Sequence, residues 1–184
     1  MDDFGWIDIE TYSELDLKEV GAYVYSRNCE IILAGYAYGL EPVELWEIGM
    51  DPSPVKEMLA MVRVNIAHNV WFDRNCLGHA GWCNRPVSDW HCTMAQAYAH
   101  QLPASLEALG RAMGLPLDER KKANGKKLIR LFCKPQHGGI RYTKQDLPLE
   151  WDEFRTYAKG DVTAMSEIYR RMPRVNLDVA HSPI

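Results

Sequence analysis

A chain of 184 residues with 47% hydrophobic and 25% charged side chains has the size and composition of one globular domain with its own core. It holds no run of about 18 apolar residues, so no membrane span is expected. Its Met1-Asp2-Asp3 start lacks the basic and apolar regions of a secretory signal. The five cysteines (29, 76, 83, 92 and 133) are odd in number and contain no Cys-x-x-Cys, which points to reduced thiols in a cytoplasmic setting. Net charge is −4, but unevenly spread. From Arg120 to Lys144 there are nine Lys or Arg and no acid, leaving 12 basic against 25 acidic residues elsewhere. An acidic body with one basic segment suggests a polyanion held beside an acidic, cation-binding site.

In chain order, Trp6-Ile7-Asp8-Ile9-Glu10-Thr11 reads as a strand. Alternate residues of a strand share a face, so Asp8 and Glu10 lie together opposite Ile7 and Ile9. Two carboxylates on one face of a central strand repel each other, and burial raises the cost. A divalent cation with oxygen ligands would relieve it; a solvated acidic edge strand is the alternative. Asp16–Tyr25 predicts a short helix or turn, Ile31–Tyr38 a buried strand, and Val43–Ile48 its hairpin partner across the Gly39–Pro42 turn. Pro52 and Pro54 open an amphipathic helix through Met61, and Val64–Ala67 is a short apolar strand.

The next stretch, His68-Asn69-Val70-Trp71-Phe72-Asp73, places Asn69 at the N-cap of a helix Val70–Ala80 and Asp73 in its first turn. Such a strand-to-helix junction delivers Asp73 to the sheet end where ligand sites of α/β proteins form. Cys76, His79, Cys83 and His91 invite a zinc reading, but their spacing fits no common zinc pattern. Val87–Trp90 predicts a fifth strand, followed by helices Thr93–Gln101 and Ser105–Met113. Asn124 is placed as the cap of a helix Gly125–Cys133, on which Lys126, Lys127 and Arg130 lie at three- and four-residue spacing as a phosphate-tracking surface. Gln136–Gln145 reads as a flexible loop. The last helix begins after Pro148 and ends before Pro173, with Tyr157 and Asp161 stacked four residues apart at the border of its apolar stripe. The pattern is α/β.

Four carboxylates, Asp8, Glu10, Asp73 and Asp161, thus have candidate positions near one another. Together they suit two divalent cations roughly 3.5–4 Å apart, an arrangement for in-line displacement at phosphorus. Tyr157, with a reference pKa near 10, would hydrogen-bond and aim a water.

Asp8-x-Glu10, Asn69-x-x-x-Asp73 and Tyr157-x-x-x-Asp161 resemble the three-motif signature of the DnaQ-like exonucleases of the tyrosine-containing (DEDDy) branch. Position 156 is Thr, where the histidine-containing branch would carry its His. Asp8–Leu17 with Gly21-Ala22-Tyr23, Leu102-Pro103-Ala104-Ser105-Leu106 and Gly125-Lys126-Lys127-Leu128-Ile129 resemble the proofreading exonuclease domain of phage and bacterial family A DNA polymerases. The resemblance spans about residues 4–172 within a single domain 1–184, leaving 173–184 as a tail.

The resemblance implies an RNase H-like fold with a five-stranded mixed sheet flanked by helices. It implies 3′–5′ removal of nucleoside 5′-monophosphates from single-stranded DNA ends, with Mg2+ or Mn2+ held by Asp8, Glu10, Asp73 and Asp161, and Tyr157 orienting the water. Asn69, Thr11, Lys126, Lys127 and Arg130 would contact substrate. Such domains commonly precede a polymerase on one polypeptide; the expectation here is a monomer serving a separate polymerase in a bacterial or phage-infected cytoplasm, or an excised domain. A non-catalytic nucleic-acid-binding module on the same fold is the alternative, although degenerate relatives usually lose an acid. An exoribonuclease also stays open, since nothing in the sequence addresses the 2′-hydroxyl.

Overall fold

A computed structural model of the chain describes residues 3–116 and 119–173. Five strands form one mixed sheet: β1 (Phe4–Tyr12), β2 (Glu30–Tyr38), β3 (Glu44–Glu47), β4 (Val64–Ala67) and β5 (Trp90–Cys92). Their order is β3-β2-β1-β4-β5. The β1-β2 and β2-β3 pairs are antiparallel, whereas β1-β4 and β4-β5 are parallel. The acid-bearing strand is therefore central, as an RNase H-like α/β fold requires, and a solvated edge strand is excluded.

Helices cover both faces. The face carrying Ile7 and Ile9 packs with Val55, Leu59, Val70 and Leu77 of α2 (Ser53–Met61) and α3 (Val70–His79). The opposite face, which carries Trp6 and Tyr12, packs under α6 (Glu119–Phe132) and α7 (Pro148–Arg171). Pro148 sits in the first turn of α7, where its missing N–H costs nothing. Trp151, Phe154, Ala158, Val162, Met165 and Ile168 follow at three- and four-residue spacing, and all are buried. The remaining helices are α1 (Leu17–Ser26), which breaks at Gly21 (φ 74°), α4 (Thr93–Ala99) and α5 (Leu106–Ala112), capped by the Ser105 hydroxyl accepting from the Ala108 N–H at 3.2 Å.

The structure corrects four expectations. Val87–Asp89 is a 3-10 turn, not the start of a strand; β5 begins at Trp90, where pairing to Asn65 of β4 first becomes possible. Asn69 occupies the N-cap position of α3 without a side-chain cap bond, because its backbone is left-handed (φ 71°, ψ 53°). Asn124 is no cap either. Helix α6 extends back to Glu119, and the Asn124 amide donates to Glu153 Oε2 at 2.7 Å. Segment 136–145, expected as a flexible loop, is tied down. Its 3-10 turn at His137–Gly139 follows Gln136, and the Arg141 guanidinium lies 4.0 Å over the Tyr12 ring and pairs with Glu30.

Candidate active site

β1 pairs with β4 only from Phe4 to Trp6, so beyond Trp6 one edge of β1 is open while β2 still covers the other. Asp8 and Glu10 fall in this open half. A register shift follows at once between Glu10 and Thr11; bulges of this kind cluster beside active sites. Opposite Asp8 stands Gly35. A methyl group there would lie 2.9 Å from Val162 Cγ2 and 3.0 Å from the Ala158 carbonyl oxygen, so the missing side chain lets α7 lie close on the sheet. That approach brings Asp161 to the strand. One carboxylate oxygen from each of Asp8, Glu10 and Asp161 lies within 4.8 Å of the others, and all three residues are partly buried.

Asp73 joins from the other side. It is 3% exposed in the first turn of α3, and the Ile9 backbone N–H on the open edge of β1 donates to its carboxylate. All four acids are pushed above the ordinary carboxylate range by desolvation, and Asp8, Glu10 and Asp73 are pushed further by neighbouring acids. Asp161 raises Asp8; Asp8, Asp161 and Asp73 raise Glu10; Asp8 raises Asp73. Asp161 reaches about 6 through burial, opposed by the hydrogen bond from the Tyr157 hydroxyl. No Lys or Arg among the described residues offsets any of these shifts. A cluster of oxygen donors that disfavours its own ionisation fits divalent cations bound through carboxylates.

The Tyr157 hydroxyl reaches Asp161, and burial followed by the nearby acids holds it protonated well above the usual phenol value. Its ring stacks with Phe154 (centroids 6.3 Å apart, 7° between planes). The Cys133 thiol, 3.7 Å from Glu10 Oε2, donates to that carboxylate. The sequence offered no signal for this contact, since a lone cysteine at a helix end predicts nothing. An open groove of about 1170 Å3 runs along α7, with Asn124, Leu128, Tyr157 and Asp161 on its walls. A shallower recess of about 380 Å3 is lined by Lys126, Lys127, Arg130, Leu131 and Gln136.

The other expected residues are placed less uniformly. Thr11 is 4% exposed, and its hydroxyl lies 3.1 Å from that of Tyr25, so it is spent internally rather than presented beside the carboxylates. Asn69 immediately precedes α3 in strained left-handed backbone, a conformation found disproportionately at functional sites. Lys126, Lys127 and Arg130 are exposed on α6; the side chains of Arg120, Lys121 and Lys122 lie outside the described residues. The Cys76–His79–Cys83–His91 set is not gathered as a ligand group. Cys76 lies 3.6 Å from the Cys29 thiol, and His91 Nε2 lies 2.7 Å from Gln96 Oε1. His68 was not anticipated: it bridges Thr93 Oγ1 (2.9 Å) and the Ala104 carbonyl (2.7 Å), tying the loop before α5 to the end of β4.

Fold and site thus define an RNase H-like α/β protein with a buried carboxylate cluster beside a groove. No family model matches the chain. Among curated proteins it is similar to the DNA polymerase of Bacillus phage SP02, 32% identical over 181 residues in a match that covers 91% of this chain. The likeness to a phage DNA polymerase read from the motifs is thereby found, and the chain spans 28% of that polymerase's length. Among solved structures, the EXO domain of Aedes aegypti Nibbler superposes with a TM-score of 0.49 and 13% identity, over 98% of this chain and 81% of that one. No helix is long and apolar enough to cross a membrane among the described residues.

Proposed function

We propose that this chain is a metal-dependent 3′–5′ exonuclease acting on single-stranded DNA. The observation that carries the reading is the convergence of Asp8, Glu10 and Asp161 within 4.8 Å, with Asp73 beside them and the Tyr157 hydroxyl on Asp161. Similarity to a segment of a phage DNA polymerase supports a nucleic-acid substrate. Residues 4–172 act as one exonuclease unit, working as a monomer in the bacterial or phage-infected cytoplasm with a polymerase on the same or a separate chain.

Asp8, Glu10, Asp73 and Asp161 hold two divalent cations, Mg2+ or Mn2+, which when bound lower the pKa of water and neutralise charge developing on the phosphate. Water attacks the terminal phosphodiester phosphorus in line, the bond from phosphorus to the 3′ oxygen breaks, and a nucleoside 5′-monophosphate leaves a new 3′-hydroxyl. With its hydroxyl on Asp161, Tyr157 positions the attacking water by hydrogen bonding. Asn69, at the mouth between β4 and α3, contacts the terminal nucleotide. Lys126, Lys127 and Arg130 follow the phosphates upstream.

The test is digestion of single-stranded DNA labelled at either end, with Mg2+, Mn2+ or chelator, beside an RNA strand of the same sequence. The expected result is a metal-dependent ladder that shortens from the 3′ end, faster on DNA. A ladder from the 5′ end would overturn the polarity, and preference for RNA would overturn the substrate. DNA binding without turnover in either metal would make the chain a binding module.

A further inference from the structure

Helix α6 carries a glycine, Gly125, in its interior, where glycine costs about 1 kcal/mol relative to alanine. Its backbone is not among those with positive φ, so conformation does not demand it. Space does. A methyl group at Gly125 would lie 2.4 Å from Cε2, 2.7 Å from Cδ2 and 3.1 Å from Cζ of Tyr157. The edge of that ring therefore rests directly on the α6 backbone.

Neither helix is placed to retreat. Leu128, one turn on, and Phe132, one turn further, are 1% exposed in the cluster shared with Phe154 and Ala158 of α7. The Asn124 amide holds Glu153 of α7 at 2.7 Å. The ring is thus held between Phe154 and Gly125, with its hydroxyl on Asp161.

We propose that Gly125 is a positioning residue for Tyr157: the absent side chain sets where the ring stands and hence where its hydroxyl meets Asp161 and the attacking water. This inference rests on the proposed role of Tyr157. It assigns to α6 a part in the reaction distinct from its cations.

Gly125→Ala supplies the test, because alanine favours a helix and the variant should fold. Restoring ordinary contact requires the ring to move by about 1 Å. Misplacement on that scale costs on the order of 10²-fold in rate. The expected result is a kcat lowered tenfold to a hundredfold with KM nearly unchanged, in a variant that still unfolds cooperatively. Gly125→Ala combined with Tyr157→Phe should be no slower than Tyr157→Phe alone, since the hydroxyl to be misplaced is gone.

A readout independent of turnover is the nuclear Overhauser contact between the Gly125 α protons and the Tyr157 ring protons in metal-free protein. Its absence would overturn the proposal. If Tyr157→Phe slows cleavage but Gly125→Ala does not, the positioning role falls and the tyrosine's role stands. If Tyr157→Phe turns over at the full rate, the tyrosine's role falls, and Gly125 loses its catalytic meaning even where the contact is seen. Additive losses in the double variant would assign the effect to α6 itself and overturn the proposal.

Discussion

At the scale of single residues, the carboxylates disfavour the state the reaction needs. An acid whose pKa is higher folded than unfolded binds more protons in the native state between the two values, so stability falls as pH rises through that window. For Asp161 the window runs from the ordinary 3.8 to about 6, and Asp8, Glu10 and Asp73 are shifted in the same direction by burial and by their acidic neighbours. In chelator the protein should therefore melt at lower temperature at pH 8 than at pH 5.5. Mg2+ or Mn2+ should raise Tm more at pH 8, where the ligands hold fewer protons for the cation to displace. Equal metal-induced shifts at the two pH values, measured by scanning fluorimetry, would mean that the cluster is not the cation site. Asp8→Ala or Asp161→Ala should slow cleavage by about 10³-fold or more, because each removes several kcal/mol of charge stabilisation at 1.36 kcal/mol per tenfold. Both variants should keep or gain Tm in chelator, and a cleavage rate within tenfold of the parent would remove that residue from the metal set. These acids were legible because strand and helix periods alone pair Asp8 with Glu10 and Tyr157 with Asp161. Cys133 on Glu10 and the left-handed Asn69 were not: the first is a contact 123 residues apart, and at the second the N-cap preference of Asn outweighed its tolerance of left-handed backbone.

At the scale of elements, the site depends on how closely α7 lies on the sheet, and Gly35 sets that distance. Gly35→Val would press branched carbons into the Val162 side chain and the Ala158 carbonyl of a closely packed interface. Overpacking of this kind costs about 1–3 kcal/mol. We expect a lower urea midpoint and a loss of activity larger than the stability change explains, since α7 carries both Asp161 and Tyr157. Unchanged stability would show that α7 is free to shift outward. The start of α6 was misread in the sequence for a related reason. Asn124-Gly125 has the chemistry of a helix start, yet Asn124 is engaged with Glu153 and Gly125 is required by Tyr157, both on a helix far along the chain. Tertiary contact overrode local preference. Likewise β5, three residues long, carries too few side chains to show a period, and its pairing to β4 decides where it begins.

At the scale of the whole molecule, the five-stranded mixed sheet came from family resemblance rather than from periodicity, and its strand order only from the structure, because strands of three or four residues do not encode their neighbours. Charge was legible in amount but not in use. Three cations of the basic segment are taken up by the acidic body: Lys134 pairs with Asp16 at 3.0 Å, Lys144 with Glu47 at 3.5 Å, and Arg141 with Glu30. On α6, Lys126 has a 3.7 Å surface pair with Glu107, and Lys127 and Arg130 have no ion pair among the described residues. Binding to single strands releases counterions with a slope of about −0.7 in log K against log salt per phosphate contacted. If α6 tracks the substrate, reversing Lys126, Lys127 and Arg130 to Glu should flatten that slope by about 2 and weaken binding most at low salt. Reversing Lys134, Arg141 and Lys144 should instead lower stability and leave the slope nearly unchanged, because those charges already face protein acids. Fluorescence anisotropy of a labelled oligonucleotide in chelator, titrated across salt, separates the two sets. Equal slopes for the parent and the α6 triple variant would mean that α6 faces away from the substrate, leaving the groove along α7 as the path of the strand.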